Sequence, residues 1–409
     1  YLFFDVNFSL FKKKIGETEW GIGWLPLGGY VKIAGMIDES MDKEQMAKPP
    51  KSWEFRSKPS WQRLIVMLGG VTINFILAII IYIGLAYSYG SSSISLDSID
   101  DGFVITNPIL KEAGFKTGDK IITVDGQTLE TYSDLRKSII GSTYYQVERD
   151  GNILEIQLPV DFLGKLSSSE DMSSFEFRMP FIIQSVSEES LNKDYDIRQG
   201  DRIVSVNGQE IKYVDQLVPL LQQNSNQTIE VELIRDSFRI KKTLNVNEDG
   251  KLGIMHGATV QNMVDLGLMK VSNNSYSFLE SIAVGTNNFV SFMGFYFDQL
   301  VAIFNPSTGA YKGLGGFIAI GNIFPSTWDW QSFWNTTALL SVMLGVLNLL
   351  PIPALDGGHA MFLVYEMVSG RKPSDKFMET VQVIGFIILL ALVIFANGND
   401  IYKLFNFIV

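Results

Sequence analysis

Three stretches of the chain contain no charged residue and are long enough to form membrane-spanning helices. They cover residues 64–89, 331–355 and 380–399. A helix of about 20 apolar residues crosses the hydrocarbon layer of a bilayer, which is about 30 Å thick. Tyrosines close the first stretch and tryptophans precede the second, as is typical of membrane interfaces. The pattern therefore predicts a polytopic α-helical membrane protein with three spans in this sequence.

A fourth apolar stretch, residues 281–297, is shorter and carries Asn287 and Asn288 near its middle. Its phenylalanines recur near one face of a helix, and polar residues occupy other positions. This pattern is typical of an amphipathic helix that lies in the membrane interface. We therefore assign residues 251–330 to a linker that contains an amphipathic interfacial helix.

Basic residues in the loops predict the orientation of the spans. Residues 1–63 are rich in Lys and Arg, and the loop after the second span contains Arg371, Lys372 and Lys376. Loops with an excess of positive charge stay on the cytoplasmic side of the membrane. Three spans place both basic regions there, whereas a fourth span at 281–297 would place the second basic loop outside. The region between about 95 and 330 is therefore predicted to be extracytoplasmic.

The outer region contains an internal repeat. Residues 115–127 and 197–209 share a Gly-Asp pair, an alternating strand, and an Asp-Gly or Asn-Gly pair, at a constant offset of 82 residues. Asp-Gly and Asn-Gly favour tight hairpin turns because both positions accept positive φ. A repeat of this length indicates domain duplication rather than a solenoid. We assign the two copies to residues 95–162 and 175–250, each as a small α+β domain.

Each copy, with its Gly-Asp pair, strand, turn and following helical pattern, resembles PDZ domains of the bacterial, protease-associated kind. PDZ domains accept an extended peptide as an added strand. The sequence indicates no carboxylate-binding loop, so we expect the domains to act as filters or gates that bind no defined peptide end. The alternative is a generic pair of β-rich domains that share this turn by chance.

Composition narrows the classes of function. Hydrophobic residues make up 46% and charged residues 19% of the 409, and the mean hydropathy is positive. Soluble domains carry about 25% charged residues, so a mixture of membrane segments and soluble domains fits better. The net charge of −11 argues against nucleic acid as a partner, because nucleic-acid binding requires a basic face. The chain has no cysteine, which removes disulfides, thiolate metal sites and cysteine nucleophiles.

A single carboxylate lies at the end of the second span. Asp356 follows Pro351 and Pro353, which stop a helix, and the two glycines after it allow a tight turn. A carboxylate near hydrocarbon costs about 2–3 kcal/mol on insertion scales, so a compensating group such as a metal ion is expected. Irregular backbone at membrane depth is tolerated only inside protein or beside a cavity. The alternative is that Asp356 caps a cytoplasmic helix that starts at Gly358.

The run Asn-Leu-Leu-Pro-Ile-Pro-Ala-Leu-Asp-Gly-Gly-His, from Asn348 to His359, resembles the second catalytic motif of the site-2 protease family. The similarity is to the branch of bacterial regulator-of-sigma-E proteases. The resemblance implies that Asp356 is a zinc ligand and that Asn348 and Pro351 bind substrate. It also implies Zn²⁺ as the cofactor and single-span membrane proteins as the substrates.

Other segments resemble the same family in the same order. Residues 21–33, within the region 1–63, resemble its membrane-associated β-hairpin, and residues 61–74 resemble its Gly-Gly-x-x-x-Asn helix. Tandem PDZ domains and a surface helix before the third family span are also typical. The resemblance covers essentially the whole chain. It implies a multi-pass protein of the bacterial inner membrane, with the PDZ-like domains in the periplasm and the active site toward the cytoplasm.

One part of the family pattern is absent from the sequence. The family's first helix carries His-Glu-x-x-His, which provides two zinc ligands and the general-base Glu, whereas this chain has only His256 and His359. Asp356 alone cannot hold zinc. Because Tyr1 begins where the family has passed its first helix, we expect a fourth, N-terminal span to be missing from the sequence; the alternative is an inactive relative. We expect His359 to be a turn residue or to support a ligand, and His256 to be structural.

The predicted function is zinc-dependent intramembrane proteolysis, either regulated cleavage such as that of anti-sigma factors or removal of signal-peptide remnants. The hairpin edge at residues 24–32 is expected to pair with an unwound substrate, and the PDZ-like domains to exclude substrates with a large outer domain. A catalytically inactive membrane scaffold with PDZ domains is the main alternative. A transporter with a broken helix is a second, although three unlike spans lack the repeated hydrophobic halves of transporters.

Overall fold

A computed structural model describes residues 2–25, 28–29, 31–36, 49–169 and 174–408 of the chain. The chain forms two compact units. The first unit comprises Tyr1–Leu77 with Leu340–Leu392, and the second comprises Ala78–Leu339 with Val393–Val409.

Within the described ranges, the β-strands are β1 (Phe4–Ile15), β2 (Thr18–Leu25), β3 (Ser91–Ile94), β4 (Phe103–Val104), β5 (Lys120–Val124), β6 (Tyr144–Arg149), β7 (Asn152–Gln157), β8 (Glu176–Phe177), β9 (Ile183–Val186), β10 (Arg202–Val206), β11 (Gln209–Glu210), β12 (Thr228–Arg235), β13 (Phe238–Asn245), β14 (Ile254–His256) and β15 (Val271–Asn274). The α-helices in the same ranges are α1 (Ser60–Tyr89), α2 (Pro108–Glu112), α3 (Tyr132–Ser138), α4 (Phe162–Ser167), α5 (Val214–Gln223), α6 (Val260–Asp265), α7 (Phe278–Phe304), α8 (Phe317–Gly321), α9 (Trp330–Leu349), α10 (Asp356–Ser369) and α11 (Asp375–Ile408).

The first unit opens with a β-hairpin. β1 and β2 pair antiparallel, and Gly16 occupies the turn with φ of +62°. Phe8 stacks on Trp24 across the strands, with ring centroids 5.8 Å apart. The expected hairpin edge at residues 24–32 is wrong in position, because β2 ends at Leu25 and residues 28–29 and 31–33 form no strand; residues 26, 27 and 30 lie outside the described residues. The alternation of large apolar and small residues that favours a strand ends at Trp24.

Three helices among the described residues are long and apolar enough to cross a membrane: Ser60–Tyr89, Trp330–Leu349 and Lys376–Phe405. The predicted spans 64–89 and 380–399 lie within the first and the last of them. The predicted span 331–355 is helical only to Leu349, where α9 ends. The helix stops there because Pro351 and Pro353 have no N–H to extend the hydrogen-bond ladder.

α7 contains the stretch 281–297 and is longer than it, and its amphipathic, interfacial character remains a prediction. Ser277 and Glu280 form a capping box at its start. A Cβ built on Gly285 would lie 2.5 Å from the backbone nitrogen of Ile83, so α7 crosses α1 at a glycine. Polar side chains recur along one stripe of the helix at Glu280, Asn287, Ser291 and Asp298. Large apolar side chains are exposed along a neighbouring stripe at Leu279, Ile282, Val290, Phe297 and Val301.

The second unit contains the two repeated domains. In the first domain β5, β6 and β7 form an antiparallel sheet, and β8 returns to pair with β4. In the second domain the sheet order is β11-β10-β12-β13, and β14 returns to pair with β9. The first domain therefore extends beyond residue 162 to Phe177, and Phe175 is fully buried in its core. The second domain begins after Phe177 rather than at 175, and it extends beyond 250 to His256.

The predicted tight turns are present in both domains. Asp125 and Asn207 each have φ of +48°, and the glycines that follow have φ of +78° and +80°. Each turn residue also accepts a backbone N–H from a neighbouring strand: Asp125 from Tyr144 at 2.8 Å, and Asn207 from Glu230 at 2.9 Å. The side chain therefore fixes the turn to the sheet, in addition to supplying its backbone conformation.

Each domain is also braced by a buried ion pair. Asp119 and Asp201 are each 1% exposed. Arg149 donates two hydrogen bonds to Asp119 at 2.6 and 2.7 Å, and Arg235 donates two to Asp201 at 2.8 and 2.7 Å. The aspartates are the repeated Gly-Asp residues, and in each copy an arginine of a later strand forms a bidentate brace with the residue just before β5 or β10.

Candidate active site

The backbone between α9 and α10 is a compact, non-helical turn. The Leu350 N–H donates to the Leu347 carbonyl at 3.1 Å. The Ile352 and Leu355 N–H groups donate to the Leu350 and Ile352 carbonyls at 2.7 and 2.8 Å. The predicted break in the helix is therefore present, and hydrogen bonds within the turn hold its shape.

Two glycines let α10 start directly against this turn. A Cβ on Gly357 would lie 2.2 Å from the Leu349 carbonyl oxygen. A Cβ on Gly358 would lie 2.4 Å from the Ile352 carbonyl oxygen. Both glycines are buried, and no side chain fits in either position. The Gly-Gly pair thus fixes where the first turn of α10 lies relative to the end of α9.

Asp356 is the first residue of α10, and its side chain is half-buried. The helix begins two residues before Gly358, so Asp356 lies in its first turn, where an acidic side chain also suits the helix dipole. A Cβ built on Gly70 of α1 would lie 4.0 Å from Oδ2 of Asp356, so α1 passes close to the carboxylate at a residue without a side chain. Burial raises the pKa of Asp356, and the charge of His359 partly offsets this. A partly desolvated carboxylate of this kind is stabilised by a nearby cation.

The other predicted site residues differ in their surroundings. Asn348 is half-buried in the last turn of α9, and Pro351 is exposed in the break. His359 lies one turn after Asp356 on α10, and burial lowers its pKa. His256 lies on β14 and packs on Phe181 with ring centroids 4.4 Å apart, as a structural residue would. The short segment around the break therefore contains Asn348, Pro351 and Asp356.

The donor atoms for a metal are incomplete in this part of the protein. Catalytic zinc sites use three protein ligands and leave a further position for water. Among the residues that the structure describes, no group of three His, Cys, Asp or Glu side chains could hold a metal ion. Asp356 is a donor of the right chemistry for zinc, but one ligand does not make a site.

The sequence patterns missed a buried ion pair that links α10 to α1. Arg63, grouped above with the basic loop, lies in the first turns of α1 and is 8% exposed. Its Nη2 donates to Oε1 of Glu366 on α10 at 2.5 Å. The signal available in the sequence was Glu366 itself, the one acidic residue in the otherwise apolar stretch 357–369.

Comparisons with known proteins bear on the whole chain. The family model described as peptidase family M50 matches residues 3–392. The chain is 27% identical to the regulator of sigma E protease of Haemophilus influenzae, over 95% of this chain and 88% of that protein. It is 28% identical to a Rickettsia conorii protein that is named as a zinc metalloprotease, over 98% of this chain and 90% of that protein.

A solved structure is similar over a smaller part. The PDZ domain of an SdrC-like protein from Listeria monocytogenes is 13% identical and covers 22% of this chain and 97% of that domain. The TM-score is 0.18, which is too low to support an argument about the fold.

Proposed function

The chain belongs to peptidase family M50, and we propose that it cleaves single-span membrane proteins within the bilayer as a zinc-dependent metalloendopeptidase. The observation that carries this proposal is the break between α9 and α10, which holds Asp356 at a helix start beside Gly70. A half-buried carboxylate in a break between two helices supports a metal ligand over a scaffold, because a charge close to hydrocarbon is costly without a partner.

The family is zinc-dependent, whereas the described residues supply one ligand. We propose that the remaining zinc ligands and the general base come from a His-Glu-x-x-His segment that is absent from these 409 residues. About a tenth of each relative named above lies outside its match to this chain. Asp356 would then be the third ligand, held by α10 and approached by α1.

The residues around the break suit the binding of an extended peptide. A substrate helix must lose its own backbone hydrogen bonds before cleavage, and unpaired backbone groups are costly in lipid. The two-stranded sheet of β1 and β2 offers strand edges that can accept such a segment. We propose that Asn348 donates a further hydrogen bond to the substrate backbone, and that Pro351 keeps the break open.

We further propose that the protein resides in a bacterial inner membrane, with the two repeated domains in the periplasm and the break toward the cytoplasm. The basic loops support this orientation. In that orientation the domains exclude substrates whose outer part is still large. A pair of reporters, identical except for a folded outer domain, tests this filter; equal cleavage of both would contradict it.

Replacement of Asp356 tests the central proposal. In the full-length protein, Asp356→Asn keeps the size of the side chain but removes its negative charge. We expect zinc affinity and cleavage of a single-span reporter each to fall at least about 100-fold. Loss of a residue that binds the metal directly costs more than loss of a residue that only orients a ligand. Metal analysis of the purified protein and gel analysis of the reporter measure the two effects.

The matched control is Asp298→Asn, which alters an acidic residue on the polar stripe of α7, and it should change neither reading. Unchanged zinc content and cleavage in Asp356→Asn would refute the proposed role. If the unmodified full-length protein neither binds zinc nor cleaves the reporter but still binds it, the inactive membrane scaffold is the correct function.

A further inference from the structure

We propose that Arg63 and Glu366 are positioning residues: their ion pair sets how α10 lies on α1, and so holds the Asp356 carboxylate in place. This inference rests on the proposed role of Asp356. The site motif contains neither residue, and the pair lies at the opposite end of α10 from the carboxylate.

The contact is short and shielded from solvent. Arg63 Nη2 lies 2.5 Å from Glu366 Oε1, and the two side chains are 10% and 19% exposed. Arg63 Nε also donates to the Lys58 carbonyl at 3.0 Å, which ties the guanidinium to the start of α1. A buried pair gives little net stability compared with apolar packing, but removal of one partner leaves an uncompensated charge. The pair therefore favours one arrangement of the two helices over others.

Two contacts relate the helices along their lengths. Arg63 meets Glu366, and Gly70 passes Asp356, so the order of contacts shows that α1 and α10 run antiparallel here. At 1.5 Å per residue, the contacts are about 10 Å apart along α1 and about 15 Å apart along α10. The contact at Gly70 lets the two helices approach closely, but it does not depend on how α10 is rotated about its axis. The ion pair is directional, and it is the contact that can set the register and rotation of α10.

The surfaces between these contacts are mostly apolar. Met67 of α1 and Phe362 and Leu363 of α10 line one cleft with Arg63 and Glu366, and His359 lines it near the carboxylate end. Apolar side chains repack with small changes in helix rotation, so they leave several arrangements close in free energy. A single hydrogen-bonded charge pair removes this freedom, which is the best-attested use of buried polar groups.

The test uses the full-length protein in lipid nanodiscs with Glu366→Gln, Arg63→Met and the exchange Arg63→Glu with Glu366→Arg. Zinc affinity is measured by competition with a chelator, well below the unfolding temperature of each variant. We expect the single variants to lose about 10- to 100-fold in zinc affinity, the effect typical of groups that orient a metal ligand. The exchange should recover most of that loss.

A second reading requires no metal. These 409 residues contain no cysteine, so spin labels can be attached at Ile65→Cys on α1 and Met361→Cys on α10, both exposed positions, once any cysteine elsewhere in the full-length protein is replaced. In the zinc-free protein we expect one narrow distance distribution, which broadens or shifts in each single variant and narrows again in the exchange.

The matched control is Asp215→Asn. Arg178 and Asp215 form a pair of similar burial at 2.6 Å within the second unit, with side chains 14% and 18% exposed. Its loss should lower stability without changing zinc affinity or the distance distribution. If Glu366→Gln leaves the zinc-free distances unchanged, the positioning role is wrong, whether or not the protein binds zinc. If the distances change as expected but the unmodified protein binds no zinc, the pair still sets the helix packing and the proposed function fails instead.

Discussion

At the scale of single residues, the geometry of the candidate site depends on glycines, which have no side chain. Gly357 and Gly358 lack the atoms that would separate α10 from the turn, and Gly70 of α1 lies beside Asp356. The prolines before Asp356 explain why α9 stops, but only the glycines explain why α10 starts so close to its end. The position of the carboxylate follows from both effects.

Gly357→Ala should destabilise the helix break. The new methyl group would overlap the Leu349 carbonyl oxygen, and overpacking of this kind costs about 3 kcal/mol. Thermal unfolding in detergent measures the change as a lower midpoint. Gly69→Ala is the control, because nothing lies within 4 Å of its added Cβ and alanine favours a helix interior by about 1 kcal/mol. Equal midpoints for the two variants would contradict this account of the break.

At the scale of elements, the two domains show how one short motif specifies a braced sheet. The Gly-Asp pair places Asp119 or Asp201 before a strand, and an arginine from a later strand closes the bidentate contact. The spacing differs between copies, since Arg149 follows its partner by 30 residues and Arg235 by 34. A fixed-offset repeat therefore reveals the aspartates but not the arginines.

Arg149→Met should unfold the first domain more easily, because it leaves Asp119 buried without its partner. Loss of one member of a buried pair costs about 3–5 kcal/mol. Urea denaturation, monitored by hydrogen exchange in each domain, measures this loss of unfolding free energy. Lys241→Met, which removes a surface pair with Glu230 on the second domain, is the control and should leave the midpoint unchanged. A midpoint for Arg149→Met that equals the control would show that the brace is unimportant.

The same brace has a defined pH dependence in the second domain. Burial alone would raise the pKa of Asp201, but hydrogen bonds from Arg235 and the Arg198 backbone outweigh it and lower the pKa. A lowered folded-state pKa gives stability that is complete above the unfolded value of about 3.9 and is lost as pH falls through the folded value. The brace is therefore intact across the physiological range.

At the scale of the whole molecule, the two domains of the second unit are joined by a cluster of charged and aromatic side chains. Arg178 follows β8 of the first domain and donates to Asp215 of α5 at 2.6 Å. Asp101, just before β4, accepts hydrogen bonds from Tyr213 at 2.5 Å and from Lys212. The first copy has Glu130, Thr131 and Ser133 where the second has Lys212, Tyr213 and Asp215, so the joint is not part of the repeat.

Asp101→Asn should loosen this joint. The change removes the charge that pairs with Lys212 and weakens the bond to Tyr213. Spin labels at Glu112→Cys and Gln223→Cys, one in each domain, should then give a broader distance distribution. Asp100→Asn is the matched control, because Asp100 pairs with Lys120 inside the first domain. A joint that stays narrow in Asp101→Asn would show that apolar contacts, rather than the charged cluster, fix the domains.

The sequence alone determined the features that depend on neighbouring residues. Uninterrupted apolar runs specified the long helices, Asp-Gly and Asn-Gly specified the turns, and two prolines followed by two glycines specified the break at Asp356. Local periodicity also predicts that α7 is amphipathic and lies in the membrane interface, and both remain predictions.

Only the tertiary structure decided the contacts between distant residues. Arg63 and Glu366 are 303 residues apart, and Asp101 and Tyr213 are 112 apart. The returning strands β8 and β14, which moved both domain boundaries, pair with strands more than 60 residues earlier. No local pattern encodes such pairings, because their free energy arises from burial and from charges that meet only after the chain has folded.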